Sequence, residues 1–127
     1  MIQTFVLDTG ALICAERRKQ RATRFFELAS LGRAKLIVPY PVITEWWRGR
    51  TDAREDILAA TQIAFSVAAA KAAGVALNRQ RDVDAKLTVD AIVMATAALA
   101  DAIVVTQDPS DFDMLGAHFP GVAVISV

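Results

Sequence analysis

A chain of 127 residues, 54% of them hydrophobic, suffices for one domain that buries roughly two-thirds of its unfolded surface, so no disulfide staple is required. Fourteen basic and fourteen acidic residues leave zero formal net charge, which excludes the overall field as a source of nucleic-acid affinity and leaves only local patches. The single cysteine, Cys14, excludes an intrachain disulfide and reads as a small buried hydrophobe in a reducing cytosol. In chain order, "QTFVLD" (3–8) is an apolar run that predicts a buried strand, and "ALICAERRKQRATRFFELASLG" (11–32) a helical stretch closed by Gly32. "KLIVP" (35–39) is a second strand, followed by the helix "PVITEWWRG" (41–49), opened by Pro41 and closed by Gly49. "REDILAATQIAFSVAAAKAAG" (54–74) is helical up to Gly74, with a break near Phe65-Ser66-Val67 that admits a short fifth strand. "TVDAIVMATAALA" (88–100) is a helix opened by Thr88, and "DAIVVT" (101–106) and "VAVIS" (122–126) are the last strands.

Strand and helix in alternation predict an α/β fold: a parallel sheet of four or five strands flanked by helices in three layers, joined by right-handed crossovers, with residues 1–127 as a single domain. No linker, repeat or low-complexity segment interrupts it. Met1-Ile2-Gln3-Thr4 lacks the basic start of an export signal, and the longest apolar tract, 91–100, is too short for a membrane span and is stopped by Asp101. A cytoplasmic protein is the expectation.

In an open parallel sheet, ligands bind at the carboxyl edge of the strands, where the crossover helices also begin. Asp8 ends the first strand, and Asp108 lies two residues beyond Thr106. Asp90 is expected in the first turn of the helix leading to that strand, and Glu45 about one turn into the helix after "KLIVP". Four carboxylates from four separated segments thus converge on one end of the sheet. Each has an ordinary explanation alone, as a turn residue, a dipole partner, a cap before proline, or a solvent-facing charge. Together they repel one another unless a cation neutralises them, and hard divalent ions such as Mg²⁺ or Mn²⁺ take such carboxylate sets.

"FVLDTGALI", "VITEWWRG", "LTVDAIVMATAAL" and "VVTQDPSDF", in this order and over essentially the whole chain, resemble the four signatures of the PIN-domain ribonucleases, and in particular the VapC-type toxins of bacterial toxin–antitoxin pairs. The resemblance implies a PIN-like fold and a divalent-metal-dependent endoribonuclease that leaves a 5′-phosphate and a 3′-hydroxyl. By position it assigns the family's four acids to Asp8, Glu45, Asp90 and Asp108, with Thr106 as the polar residue two before the last; Asp111 also fits the fourth place. Of these two, Asp108 follows the strand directly and is expected to point into the pocket, while Asp111 serves the next helix. Gly10 departs from the pattern, standing where many relatives have Asn or Ser. An ion held by Asp8 and Asp90 would activate water for in-line attack on a phosphodiester, with a second ion if Glu45 and Asp108 complete a two-metal site. The resemblance also implies a homodimer and a cognate antitoxin whose C-terminal segment blocks the acidic pocket, with an Arg reaching the carboxylates.

An acidic pocket needs basic neighbours to hold RNA. Arg17, Arg18, Lys19, Arg21 and Arg24 form one cluster; Arg48, Arg50 and Arg54 follow the Glu45 helix; Arg79, Arg81 and Lys86 precede Asp90. The last two groups adjoin segments with a proposed ligand and are the candidates for gripping phosphates. Of Trp46 and Trp47, at least one is expected in the core. The only histidine, His118, is expected at the surface, away from the chemistry. A receiver domain would need a late lysine, and none follows Lys86; a haloacid-dehalogenase-type phosphatase would need an acid where Gly10 stands. No glycine-rich phosphate loop follows any strand, and an inert module of this fold is disfavoured because all four positions remain acidic.

Overall fold

The computed structural model describes residues 2–49 and 52–127. Among them, five parallel strands form one sheet in the order β3-β2-β1-β4-β5, flanked by seven α-helices. The strands are β1 (Gln3–Leu7), β2 (Ala34–Pro39), β3 (Gln62–Ala64), β4 (Ile103–Thr106) and β5 (Val124–Ser126). The helices are α1 (Thr9–Glu16), α2 (Gln20–Ser30), α3 (Tyr40–Trp46), α4 (Asp52–Ala59), α5 (Val67–Leu77), α6 (Ala85–Ala100) and α7 (Asp113–Gly116), with a 3-10 helix at Pro109–Phe112.

The three middle strands are continuous apolar runs because helices cover the sheet on both sides. Val6, Leu7, Val38, Val104 and Val105 are fully buried, each such side chain contributing roughly 1.5–3 kcal/mol by leaving water. β1 pairs with β2 at Val6↔Ile37 and with β4 at Leu7↔Val105. From β1 to β3 the crossovers step one way across the sheet, and from β3 to β5 they step the other way. The strand order therefore reverses at the β1–β4 pair, which opens a crevice beyond the carboxyl ends of those two strands. α6 packs against β1, β2, β4 and α5 through small side chains, with Ala91, Ala95 and Ala97 fully buried, so its backbone lies close to the sheet. No helix among the described residues is long and apolar enough to cross a membrane.

Four local expectations are corrected. The stretch 11–32 is two helices, separated where Arg18 adopts a left-handed φ of 54° and the Lys19 amide donates to the Cys14 carbonyl. The fifth strand falls at Gln62–Ala64, before Phe65-Ser66-Val67, because Ser66 is spent capping α5 through the Ala69 amide at 3.0 Å. Gly74 lies inside α5 and does not end it. α6 begins a turn earlier than Thr88: Asp84 caps it by accepting the Leu87 amide at 2.8 Å, while the Thr88 hydroxyl donates back to the Asp84 carbonyl. Asp90 consequently sits in the second turn of α6. Cys14 and Trp46 are buried, as their residue types suggested.

Candidate active site

A pocket of about 560 Å³ opens in the crevice between β1 and β4. It is lined by residues of four segments, among them Asp8, Glu45, Asp90, Asp108 and Asp111. All five acids chosen from the sequence therefore meet in one cavity.

Asp8 follows β1 and caps α1. One carboxylate oxygen accepts the Ala11 amide at 2.8 Å; the other accepts the Thr106 hydroxyl at 2.5 Å from the end of β4. Thr106 in turn accepts the Asp108 amide at 3.2 Å, so β1 and the loop after β4 are tied through one hydroxyl. Asp8 and Asp90 are only 8% and 7% exposed, a rare state for carboxylates. Burial pushes the Asp8 carboxyl up to about 6, with repulsion from Asp90 adding to it, although the Thr106 and Ala11 hydrogen bonds and the Lys86 charge oppose the rise. Asp90 is raised too, first by burial and then by repulsion from Glu45 and Asp111, against a hydrogen bond and attraction from Lys86.

Glu45 comes from α3, which starts directly after β2 with Pro41 in its first turn. Thr9, the first residue of α1, donates its hydroxyl to Glu45 at 2.7 Å and fixes that carboxylate against the pocket wall. Gly10 allows this close assembly: a Cβ there would stand 3.0 Å from the Gln107 Cβ and 3.3 Å from the Gln107 amide nitrogen. The missing side chain at Gly10 thus lets the first turn of α1 lie against the loop after β4, a packing role beyond any lost polar contact.

Asp108 and Asp111 both line the pocket but have different partners. Asp108 caps the 3-10 helix, one oxygen accepting the Ser110 amide at 3.2 Å and the Ser110 hydroxyl at 2.6 Å. Asp111 instead reaches the Lys86 ammonium at 2.9 Å. That same ammonium lies 3.0 Å from Asp90, four residues on along α6. Partial burial works against the charged form of Lys86, yet its bonds to Asp111 and Asp90 outweigh this and raise its pKa above the ordinary lysine range. Lys86 therefore turns into the carboxylate pocket, whereas its grouping with Arg79 and Arg81 had it facing phosphates outside. Thr9 and the inward Lys86 were not singled out as pocket residues from sequence. The i,i+4 spacing of Lys86 and Asp90 was the available signal for the second; nothing local marked Thr9.

The other basic residues divide. Arg79 and Arg81 are exposed between α5 and α6, and Arg48 is exposed after α3. None lines the pocket. Arg54 plays a structural part. Its guanidinium meets Glu16 at 3.0 Å, bonds the Arg48 carbonyl and lies over the Trp46 ring, while the Trp46 indole donates to Glu16 at 2.5 Å. It is thereby removed from the phosphate candidates. Arg50 lies outside the described residues. Arg24 pairs with Glu27 at 3.6 Å on an exposed face of α2, as a solvated helix surface does. His118 is half-buried against Gln80, at a different cavity from the acids.

The donors suit a hard cation: carboxylates from four segments, backed by hydroxyls, two of them buried and mutually repelling. In the present side-chain arrangement, no three His, Cys, Asp or Glu side chains among the described residues form a set that could hold a metal ion. The Lys86 ammonium stands between Asp90 and Asp111 instead.

Sheet order, crevice and acidic pocket define a PIN-like α/β fold. The chain is similar over 98% of its length to 99% of a chain from VapBC2 of Rickettsia felis, crystallised with a DNA fragment from their promoter, with a TM-score of 0.71 and 15% identity. It is similar over 99% of its length to 98% of a chain from DNA-bound VapBC of Salmonella typhimurium, with a TM-score of 0.68 and 18% identity. VapBC-1 of nontypeable Haemophilus influenzae gives a TM-score of 0.66 at 16% identity, covering 98% of both chains. At such identities the likeness establishes the fold. No protein-family model and no curated protein matches the sequence.

Proposed function

We propose that this protein is a divalent-metal-dependent endoribonuclease and the toxin of a VapBC-type toxin–antitoxin pair. The observation that carries the reading is the burial of Asp8 and Asp90 in one pocket with Glu45, Asp108 and Asp111, where nothing about the fold requires charge. Two buried, repelling carboxylates are a cost that a structural role does not explain, since a cap functions equally well at the surface. The resemblance of the four sequence signatures and the VapBC identity of the structural neighbours support the same class.

Asp8, Asp90 and Glu45 would hold Mg²⁺ or Mn²⁺, with Asp111 or Asp108 as the fourth acid. A bound ion of this kind supplies Lewis acidity, lowering the pKa of water and offsetting charge that develops on the phosphate. The chain's own residues supply position. Thr106 and the Ala11 amide hold both oxygens of Asp8, and Thr9 holds Glu45, which restricts the orientation of these two carboxylates at the pocket wall. Without a cation the pocket repels a phosphodiester, so RNA binding and ion binding are coupled. Arg79, Arg81, Arg48 and Arg50, outside the pocket, would grip phosphates on either side of the cleaved bond. Their replacement by Ala should flatten the salt dependence of RNA binding and leave ion affinity alone; an unchanged slope would return them to solvated surface. A homodimer and an antitoxin that blocks the pocket complete the proposal. The purified complex with that partner should no longer cleave RNA, and full activity in a stable complex would rule out pocket blocking.

The direct test measures melting temperature with and without Mn²⁺, beside cleavage of a labelled RNA, for wild type, Asp8→Asn and Asp90→Asn. The wild type should gain stability with the ion, because the ion binds only the folded state, and the variants should lose that gain together with cleavage. Variants that still cut RNA would show the aspartates to be structural.

A further inference from the structure

Among the described residues that line the acidic pocket, Lys86 is the only basic one. Its ammonium lies 3.0 Å from Asp90 Oδ2 and 2.9 Å from Asp111 Oδ2, joining α6 to the 3-10 helix after β4 across 25 residues of chain. The lysine side chain is 59% exposed, against 10% for Asp90, so the stem rises from the rim and only its charged end dips toward the buried acid. A solvated lysine on the first turn of α6 has ample freedom to point into water; this one is directed at Asp90, whose charge is disfavoured by burial and by repulsion from Glu45 and Asp111, and at the more exposed Asp111 beside it.

The geometry points to Lys86 as a tethered counter-cation, one that bridges Asp90 and Asp111 in the metal-free protein and competes with the divalent ion for both. On this view Lys86 sets the ion concentration at which the pocket loads. The inference rests on the proposed metal site but adds a property that the site's acids do not imply. Three features make the competition workable. The ammonium offers one charge where the ion offers two, so the ion prevails when it is abundant. The exposed stem lets the displaced ammonium swing into water with little desolvation to reverse. The tether keeps it in reach, so it returns when the ion leaves and relieves the acids again. Two partly exposed ion pairs are each worth a few-fold, so Lys86 should weaken ion binding by about tenfold.

The test is Mn²⁺ binding to the full chain, followed by calorimetry and by melting temperature, for wild type, Lys86→Met and Lys86→Arg. Lys86→Met keeps the aliphatic stem and removes the charge; it should bind Mn²⁺ about tenfold more tightly and melt a few degrees lower without metal. Lys86→Arg keeps the charge and should bind as wild type does. Lys86→Gln serves as a second neutral variant should the methionine perturb folding. Equal affinity in wild type and both neutral variants would overturn the role of Lys86 and leave the metal site standing. Tightening in Lys86→Arg as well would show that side-chain shape matters and charge does not, which would equally overturn the counter-cation. Ion binding by neither wild type nor neutral variants would overturn both readings together, and binding by the neutral variants alone would be the strongest support for competition.

Discussion

Asp8 and Asp84 begin helices by the same bond. Each accepts an amide three residues ahead at 2.8 Å, Asp8 from Ala11 and Asp84 from Leu87, and each backbone is extended as a cap requires. Their surroundings differ. Asp84 is exposed at the start of α6, where water solvates its charge; Asp8 is 8% exposed, has its second oxygen bound by Thr106 and faces Asp90 across the pocket. Capping therefore accounts for an aspartate at either place but not for burying one. What separates a site from a cap is the unfavourable part of the environment, the desolvation and like charge that a helix end does not need.

Neutralising the buried acids tests this difference most severely. Asp8→Asn and Asp90→Asn should each lower RNA cleavage by more than about a hundredfold, since ion-assisted charge stabilisation is worth several kcal/mol at about 1.4 kcal/mol per decade. Asparagine still caps α1, so Asp8→Asn should fold as stably as wild type or more so without metal. A large fall in its metal-free melting temperature would place Asp8 beside Asp84 as a structural residue.

Acidification should separate stability from activity. The Asp8 carboxyl lies near 6 in the folded chain against 3.8 as its ordinary value, so the folded protein holds that proton more tightly than the unfolded chain does. Stability without metal should fall as pH rises from about 4 to 6, by at most about 3 kcal/mol from this group. Cleavage should move the opposite way and decline on acidification, as protons compete with the ion for Asp8. Melting curves of wild type and Asp8→Asn from about pH 4 to 7 isolate the effect, and parallel curves would show that Asp8 is not raised.

A second pair repeats the contrast within one turn of chain. Asp108 has one oxygen committed to Ser110, and asparagine can keep that cap; Asp111 reaches Lys86 beside Asp90. Asp111→Asn should reduce cleavage about tenfold more than Asp108→Asn, a difference in the range measured for groups that orient metal ligands. The reverse order in steady-state assays would make Asp108 the fourth acid despite its cap.

The smallest effect belongs to Asp84. Asp84→Ala should cost about 1 kcal/mol of stability, the usual loss for an aspartate cap. It should leave cleavage and Mn²⁺ affinity unchanged when the protein is assayed well below its melting temperature. A specific loss of ion binding would show that the start of α6 belongs to the pocket after all.

Much of the architecture is local information. The Val- and Ile-rich runs around Phe5, Ile37 and Val104 are legible as strands because a sheet covered on both faces demands unbroken apolar sequence. Once the strands are parallel, chain direction alone carries Asp8, Glu45, Asp90 and Asp108 to the carboxyl edge, which is why the pocket could be named before it was seen. Element ends were less legible. Arg18 in a left-handed turn, Ser66 as the α5 cap and Asp84 as the α6 cap each compete with neighbours of similar propensity, and small differences in packing decide among them. The partners of long charged side chains were decided only by the tertiary structure. Arg54 and Lys86 look alike in sequence, as basic residues beside an acidic segment. One is drawn onto Trp46 and Glu16, 38 residues away from the latter, and the other onto Asp111, 25 residues away. A flexible cation settles wherever buried negative charge is least satisfied, and that is a property of the assembled pocket, absent from any short stretch of chain.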